Sequence, residues 1–212
     1  MNRARLSAAL AIFLSASVSA FAGEVVVSVA DQDGAPAKDV VVALSAELAP
    51  ANSVNAAPKI IDQSDEQFVP LVTVVGVGGG VAFTNSDLTR HHVYSFSAIK
   101  QFEFVLDPGQ KSDPVVFDTA GVAAIGCNIH DRMVAYVFVA STPYAAVTGA
   151  DGRVSFADLP DGTYTVALWH PFQKGQGAPA QRFTISGGSA SAALTIPLVP
   201  VWERAITHPH EY

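Results

Sequence analysis

Apolar residues in this chain come in short runs, often alternating with polar ones, and clusters of Gly, Pro, Asp and Asn break them every few positions. That is the period of strands, and no stretch after residue 23 sustains a helical repeat beyond a turn or two. Glu24 to Val29 (EVVVSV) predicts a strand, Asp31-Gln32-Asp33-Gly34-Ala35-Pro36 a turn, and Val40 to Leu44 (VVVAL) the strand returning from it as a hairpin. Ser45 to Pro58 is a connection of small and polar residues.

Further along, residues 60–63 and 67–70 predict an edge strand ending at Pro70, and Val72 to Val77 and Val81 to Phe83 flank a Gly78-Gly79-Gly80 turn. Strands follow at His92–Ser97, Phe102–Leu106, Val115–Phe117, Val122–Cys127 and Val134–Val139. About seven short strands in some 80 residues is the size of one β-sandwich. After Ser141-Thr142-Pro143 the runs become a second, smaller β unit, predicted as a meander through Ala146–Thr148, Val154–Phe156, Tyr164–Trp169, Arg182–Ile185 and Ala193–Ile196. The expected class is all-β.

The first residues obey a different rule. Met1 to Ala22 has Arg3 and Arg5, then an apolar run from Leu6 to Val18, then Ala20-Phe21-Ala22 before Gly23. This is the layout of a secretory signal peptide cleaved after Ala22, and the run is too short and serine-interrupted for a retained membrane span. The expected location is the periplasm, with no membrane insertion after cleavage. The 212 residues hold 12 Lys and Arg against 19 Asp and Glu, a net charge of −7, and losing the two leader arginines takes this to −9. An acidic chain is poorly suited to nucleic acid, whose binding rests on Lys and Arg neutralising phosphates. It suits a protein partner with a basic patch.

Export also changes what Cys127, the single cysteine, can do. It cannot close an internal disulfide, so it is dimerising, free, buried as a small hydrophobe, or a metal ligand. Its neighbours bear on the choice. Residues 126–133 read G-C-N-I-H-D-R-M, placing Cys127, His130 and Met133 at C-x-x-H-x-x-M spacing. Taken singly, His130 is a loop histidine and Met133 a core side chain; together with the thiol they are a soft ligand set suited to copper, lacking one histidine. Gly126, Asn128 and Asp131 supply turn chemistry for so tight a loop.

The stretch Val81-Ala82-Phe83-Thr84-Asn85-Ser86-Asp87-Leu88-Thr89-Arg90-His91-His92-Val93 resembles the V-x-F-x-N-x-D-x-x-x-H-x-V phrase of the cupredoxins, the small blue copper proteins. The ligand loop is similar to the short amicyanin-type form of the same family. The resemblance implies a Greek-key β-sandwich with one type 1 copper held by His91, Cys127, His130 and Met133. His92 stands beside His91 and is the competing first ligand; strand alternation sends the two to opposite faces. An aromatic residue usual in the strand before the cysteine, and a proline often found between Cys and His, are both missing here.

Downstream, D-G-R-V-S-F-A-D-L-P-D-G-T-Y-T-V over residues 151–166 resembles carboxypeptidase-regulatory or prealbumin-like modules, which also begin with a hairpin similar to residues 27–36. The hairpin of residues 23–46 therefore completes either this C-terminal sandwich, with the copper-type block inserted between, or the first one. The expected divisions are a leader at 1–22, hairpin and linker at 23–58, a cupredoxin-like domain at 59–140 and a smaller immunoglobulin-like sandwich with tail at 141–212. The whole order resembles bacterial cupredoxin-like proteins labelled as methylamine utilisation proteins. It implies an electron carrier between redox proteins of dehydrogenase or cytochrome c type; a non-redox copper-handling protein, or an interaction module with a degenerate site, is the alternative. No nucleophile elbow, H-E-x-x-H site or paired-carboxylate signature points to an enzyme. The glycine run has no following helix or Lys for phosphate. His170, His208 and His210, each beside a proline, are weaker metal candidates.

Overall fold

A computed structural model describes residues 23–46, 57–175, 180–186 and 188–200. The expected leader, most of the linker at 45–58 and the tail histidines 208 and 210 lie outside these residues. Among the described residues there are sixteen strands and no helix, in four sheets that enclose two cores.

The first sandwich spans 59–140. One sheet has the order β4 (Gln67–Val69), β3 (Lys59–Ser64), β6 (Gly79–Asn85), β9 (Val115–Phe117). The facing sheet runs β5 (Val72–Gly76), β11 (Val134–Ala140), β10 (Gly121–Cys127), β7 (His91–Ser97), β8 (Lys100–Leu106). Alternation explains why these segments are strands with one dry face. Val81 and Phe83 of β6, Ala123, Ile125 and Cys127 of β10, and Ala135, Val137 and Val139 of β11 all point into one core with Ile61, Phe68, Phe117 and Met133. The glycine run departs from expectation. Only Val77 and Gly78 form the turn, Gly79 and Gly80 already belong to β6, and the turn carries the chain from one sheet to the other.

The second sandwich corrects two expectations. Strands β1 (Gly23–Ala30) and β2 (Val41–Ala46) are not a hairpin, because they lie in different sheets. β1 sits between β13 (Arg153–Leu159), antiparallel, and β16 (Ala190–Thr195), parallel. β2 sits between β12 (Tyr144–Val147) and β14 (Gly162–Trp169), with β15 (Gln181–Ile185) beyond. The C-terminal strands are consequently no meander; β14 and β15 are the consecutive pair that hydrogen-bond. An alternating strand shows which face is buried but not which neighbour it has. Val25, Val27 and Val29 face Val42 and Leu44 across the core instead of pairing beside them. Residues 31–40 span the gap between sheets, pinned where Thr148 Oγ1 accepts the Val40 N–H at 3.0 Å and donates to the Ala37 carbonyl at 2.7 Å.

The two sandwiches meet on β11. Tyr136 and Phe138, on its outer face, pack against Trp169 of β14 with ring centroids 5.8 and 5.6 Å apart.

Candidate metal centre

The phrase from Val81 to Val93 is a construction kit for one histidine. Val81, Phe83 and Val93 are core residues that fix the ends of the β6–β7 loop. Asn85, 1 % exposed, ties that loop down: its side-chain amide donates to the carbonyls of Thr89 at 2.8 Å and Leu106 at 3.0 Å, and its Oδ1 accepts the Asp87 N–H at 3.0 Å. Asp87 in turn takes the Nε2–H of His91 on Oδ2 at 2.8 Å. With Nε2 occupied, His91 presents Nδ1 to the interior, and the residue is completely buried.

On the neighbouring strand Cys127 pairs with Val93, and the Asn128 N–H continues the contact to the His92 carbonyl at 3.0 Å. The chain then turns through residues 128–132 and returns as β11. The Met133 N–H closes the turn on the His130 carbonyl at 3.0 Å. Met133 is 2 % exposed, in the same core cluster as Cys127. Gly126 is not part of this turn, as its position suggested; it lies within β10.

These two loops bring together His91, Cys127 and His130. His91 Nδ1 lies 3.7 Å from Cys127 Sγ and 3.1 Å from His130 Nδ1, and one donor atom of each residue lies within 4.8 Å of the others. Bonds of about 2.0–2.1 Å to nitrogen and 2.3 Å to sulfur let two donors on one ion stand up to about 4.4 Å apart, so the two contact distances suit a single small ion. Among the described residues, no other group of three His, Cys, Asp or Glu side chains is placed to share an ion. The thiol is free and buried, and a thiolate with two imidazoles favours copper over hard cations.

Of the two adjacent histidines, His91 enters the cluster and His92 does not. His92 is on the outer face of β7, its Nε2 3.7 Å from Glu103 Oε2. His170 is buried in the second sandwich, where its Nδ1 accepts the Phe172 N–H at 3.1 Å.

Two supporting residues were not legible as such in the chain. Asp87 stood inside the quoted phrase, where its i, i+4 spacing to His91 was the available signal. Burial alone would raise its carboxyl, but the N–H of Glu66, the His91 ring and the N–H of Asp65 together hold it below the usual carboxylate range. Glu66, from the β3–β4 turn, sets Oε1 3.7 Å from His130 Nε2. Tyr94 lies over Gly126: a Cβ built there would fall 2.6 Å from the ring's Cζ. That ring lies on the outer face of the sheet, opposite the Cys127 thiol, and so does not stand in for the aromatic residue missing from the strand before the cysteine.

No family model and no curated protein matches the chain. Among solved structures, similarity is found to a copper-containing nitrite reductase from Thermus scotoductus SA-01, with 22 % identity, TM-score 0.37, and coverage of 43 % of this chain and 25 % of that one. A purple cupredoxin from Nitrosopumilus maritimus is 25 % identical at TM-score 0.35, covering 39 % of this chain and 99 % of its own. A mutant of amicyanin in its Cu(I) form is 18 % identical at TM-score 0.36, covering 47 % and 98 %. This chain spans a quarter of the reductase's length. At these TM-scores the likenesses decide nothing about function, which has to be read from the cluster.

Proposed function

We propose that this is an exported protein binding one type 1 copper and carrying single electrons between periplasmic redox proteins. The observation that carries this reading is the meeting of His91 Nδ1, Cys127 Sγ and His130 Nδ1 within 4.8 Å, two of the three residues being buried. Bound copper would supply a one-electron couple. The protein's part is to hold the donors still while the charge changes. Cys127 and His91 end and begin paired strands, Asn85 and Asp87 fix the His91 ring, and Met133, in the same core, would offer a further soft donor. Ile129 on the ligand loop and Leu88 on the His91 loop are exposed and offer an apolar contact to a partner, which the acidic chain would steer by a basic surface.

The test is spectroscopic. Loading with Cu(II) should give an intense visible thiolate-to-copper band that disappears in Cys127→Ser, and ascorbate should bleach it reversibly. A colourless loaded protein with an ordinary copper EPR spectrum removes the electron-carrier reading. Stoichiometric copper that is retained but does not cycle favours copper handling instead.

A further inference from the structure

We infer that Glu66 is a positioning residue of this centre, its carboxylate set behind the outer nitrogen of His130 and favouring the oxidised state of a bound copper; the inference rests on the copper reading above. It starts from an odd turn. Ser64 pairs with Gln67, so Asp65 and Glu66 are the whole connection between β3 and β4, with φ of 53° and 55°. Two left-handed positions in a two-residue hairpin are what Asn-Gly provides with least strain. Here a β-carboxylate and a γ-carboxylate stand there instead.

The turn is held by the residue that holds the other histidine. Asp87 Oδ1 accepts the Asp65 N–H at 2.6 Å, and Oδ2 accepts both the Glu66 N–H at 3.1 Å and the Nε2–H of His91 at 2.8 Å. So clasped, the turn brings Glu66 Oε1 to 3.7 Å from His130 Nε2. Both imidazoles therefore turn Nδ1 to the cluster and Nε2 to a carboxylate. Strained backbone that carries a functional group onto a ligand is strain placed where it serves the site. A carboxylate behind an imidazole orients the ring and makes it a more basic donor, which stabilises the more positive ion. The Glu66 side chain is 61 % exposed, so solvent screens much of the effect.

Glu66→Gln should shift the ratio of Cu(II) to Cu(I) affinity about threefold toward Cu(I), a rise in midpoint potential of about 28 mV at ~59 mV per tenfold for one electron. Glu66→Gly relieves the left-handed position, so its Tm should hold or rise while the potential moves the same way; a merely structural residue would not separate the two. The matched control is Glu103→Gln, because Glu103 stands at the same 3.7 Å from His92, outside the cluster. Equal potentials for Glu66→Gln and Glu103→Gln overturn the inference. If wild-type protein holds no redox-cycling copper, the electron-carrier reading falls separately, and Zn(II) affinity measured against a chromogenic chelator decides for Glu66. About threefold weaker Zn(II) binding in Glu66→Gln than in Glu103→Gln supports the role, and equal affinities overturn it.

Discussion

At the residue scale, position 126 shows how closely the sheet that carries this centre is packed on its outer face. Gly126 leaves its face of β10 bare, and Tyr94 fills the space directly across the strand pair, one residue from the thiol. A methyl group there would sit 2.6 Å from Tyr94 Cζ, so either the ring or the strand must move. Gly126→Ala should therefore destabilise the protein by about 1–3 kcal/mol, the usual cost of overpacking. Chemical denaturation measures it, and Tyr94→Ser in the same chain should recover most of the loss. If Gly126→Ala is neutral, Tyr94 is not packed as described.

At the scale of elements, the β6–β7 loop is a rigid bracket, and Asn85 is its fastening. Its amide satisfies two carbonyls, one in the loop and one at the end of β8, while its own oxygen caps Asp87. Replacing it with Ala strands one buried acceptor, on Leu106, and one part-buried acceptor, on Thr89, at roughly 1–3 kcal/mol for a fully buried group. Asn85→Ala should lower unfolding free energy by on the order of 3 kcal/mol and, because Asp87 and His91 hang from the same loop, speed copper loss to a chelator. Stability loss with unchanged chelator kinetics would show that the loop and the site are uncoupled.

Across the whole molecule, the N-terminal strands belong to the C-terminal sandwich. β1 and β2 are each flanked on both sides by C-terminal strands, and Val25, Val27, Val29, Val42 and Leu44 form a large part of that core. Deleting residues 23–46 should abolish amide protection in β13–β16, read by hydrogen exchange, while the 59–140 sandwich keeps its metal cluster. The Trp169 contact with Tyr136 and Phe138 should be lost with it, exposing the outer face of β11. Retained protection in β13–β16 would mean that the C-terminal strands make a sandwich unaided.

Local chemistry was legible in the chain itself. Alternation marked nearly every strand, because burying one face of a sheet is a period-two demand that each strand meets alone. The C-x-x-H-x-x-M loop and the phrase from Val81 to Val93 named the donors, since donor type and loop spacing are properties of consecutive residues. Tertiary structure decided whatever depends on neighbours distant in sequence. Pairing was one such matter, for β1 and β2 face each other where a hairpin was expected. Choosing His91 over His92 was another, because alternation puts them on opposite faces but only the position of Cys127 on the adjacent strand says which face holds the site. Glu66 reaches the centre from the β3–β4 turn, and no spacing along the chain encodes a contact between two loops.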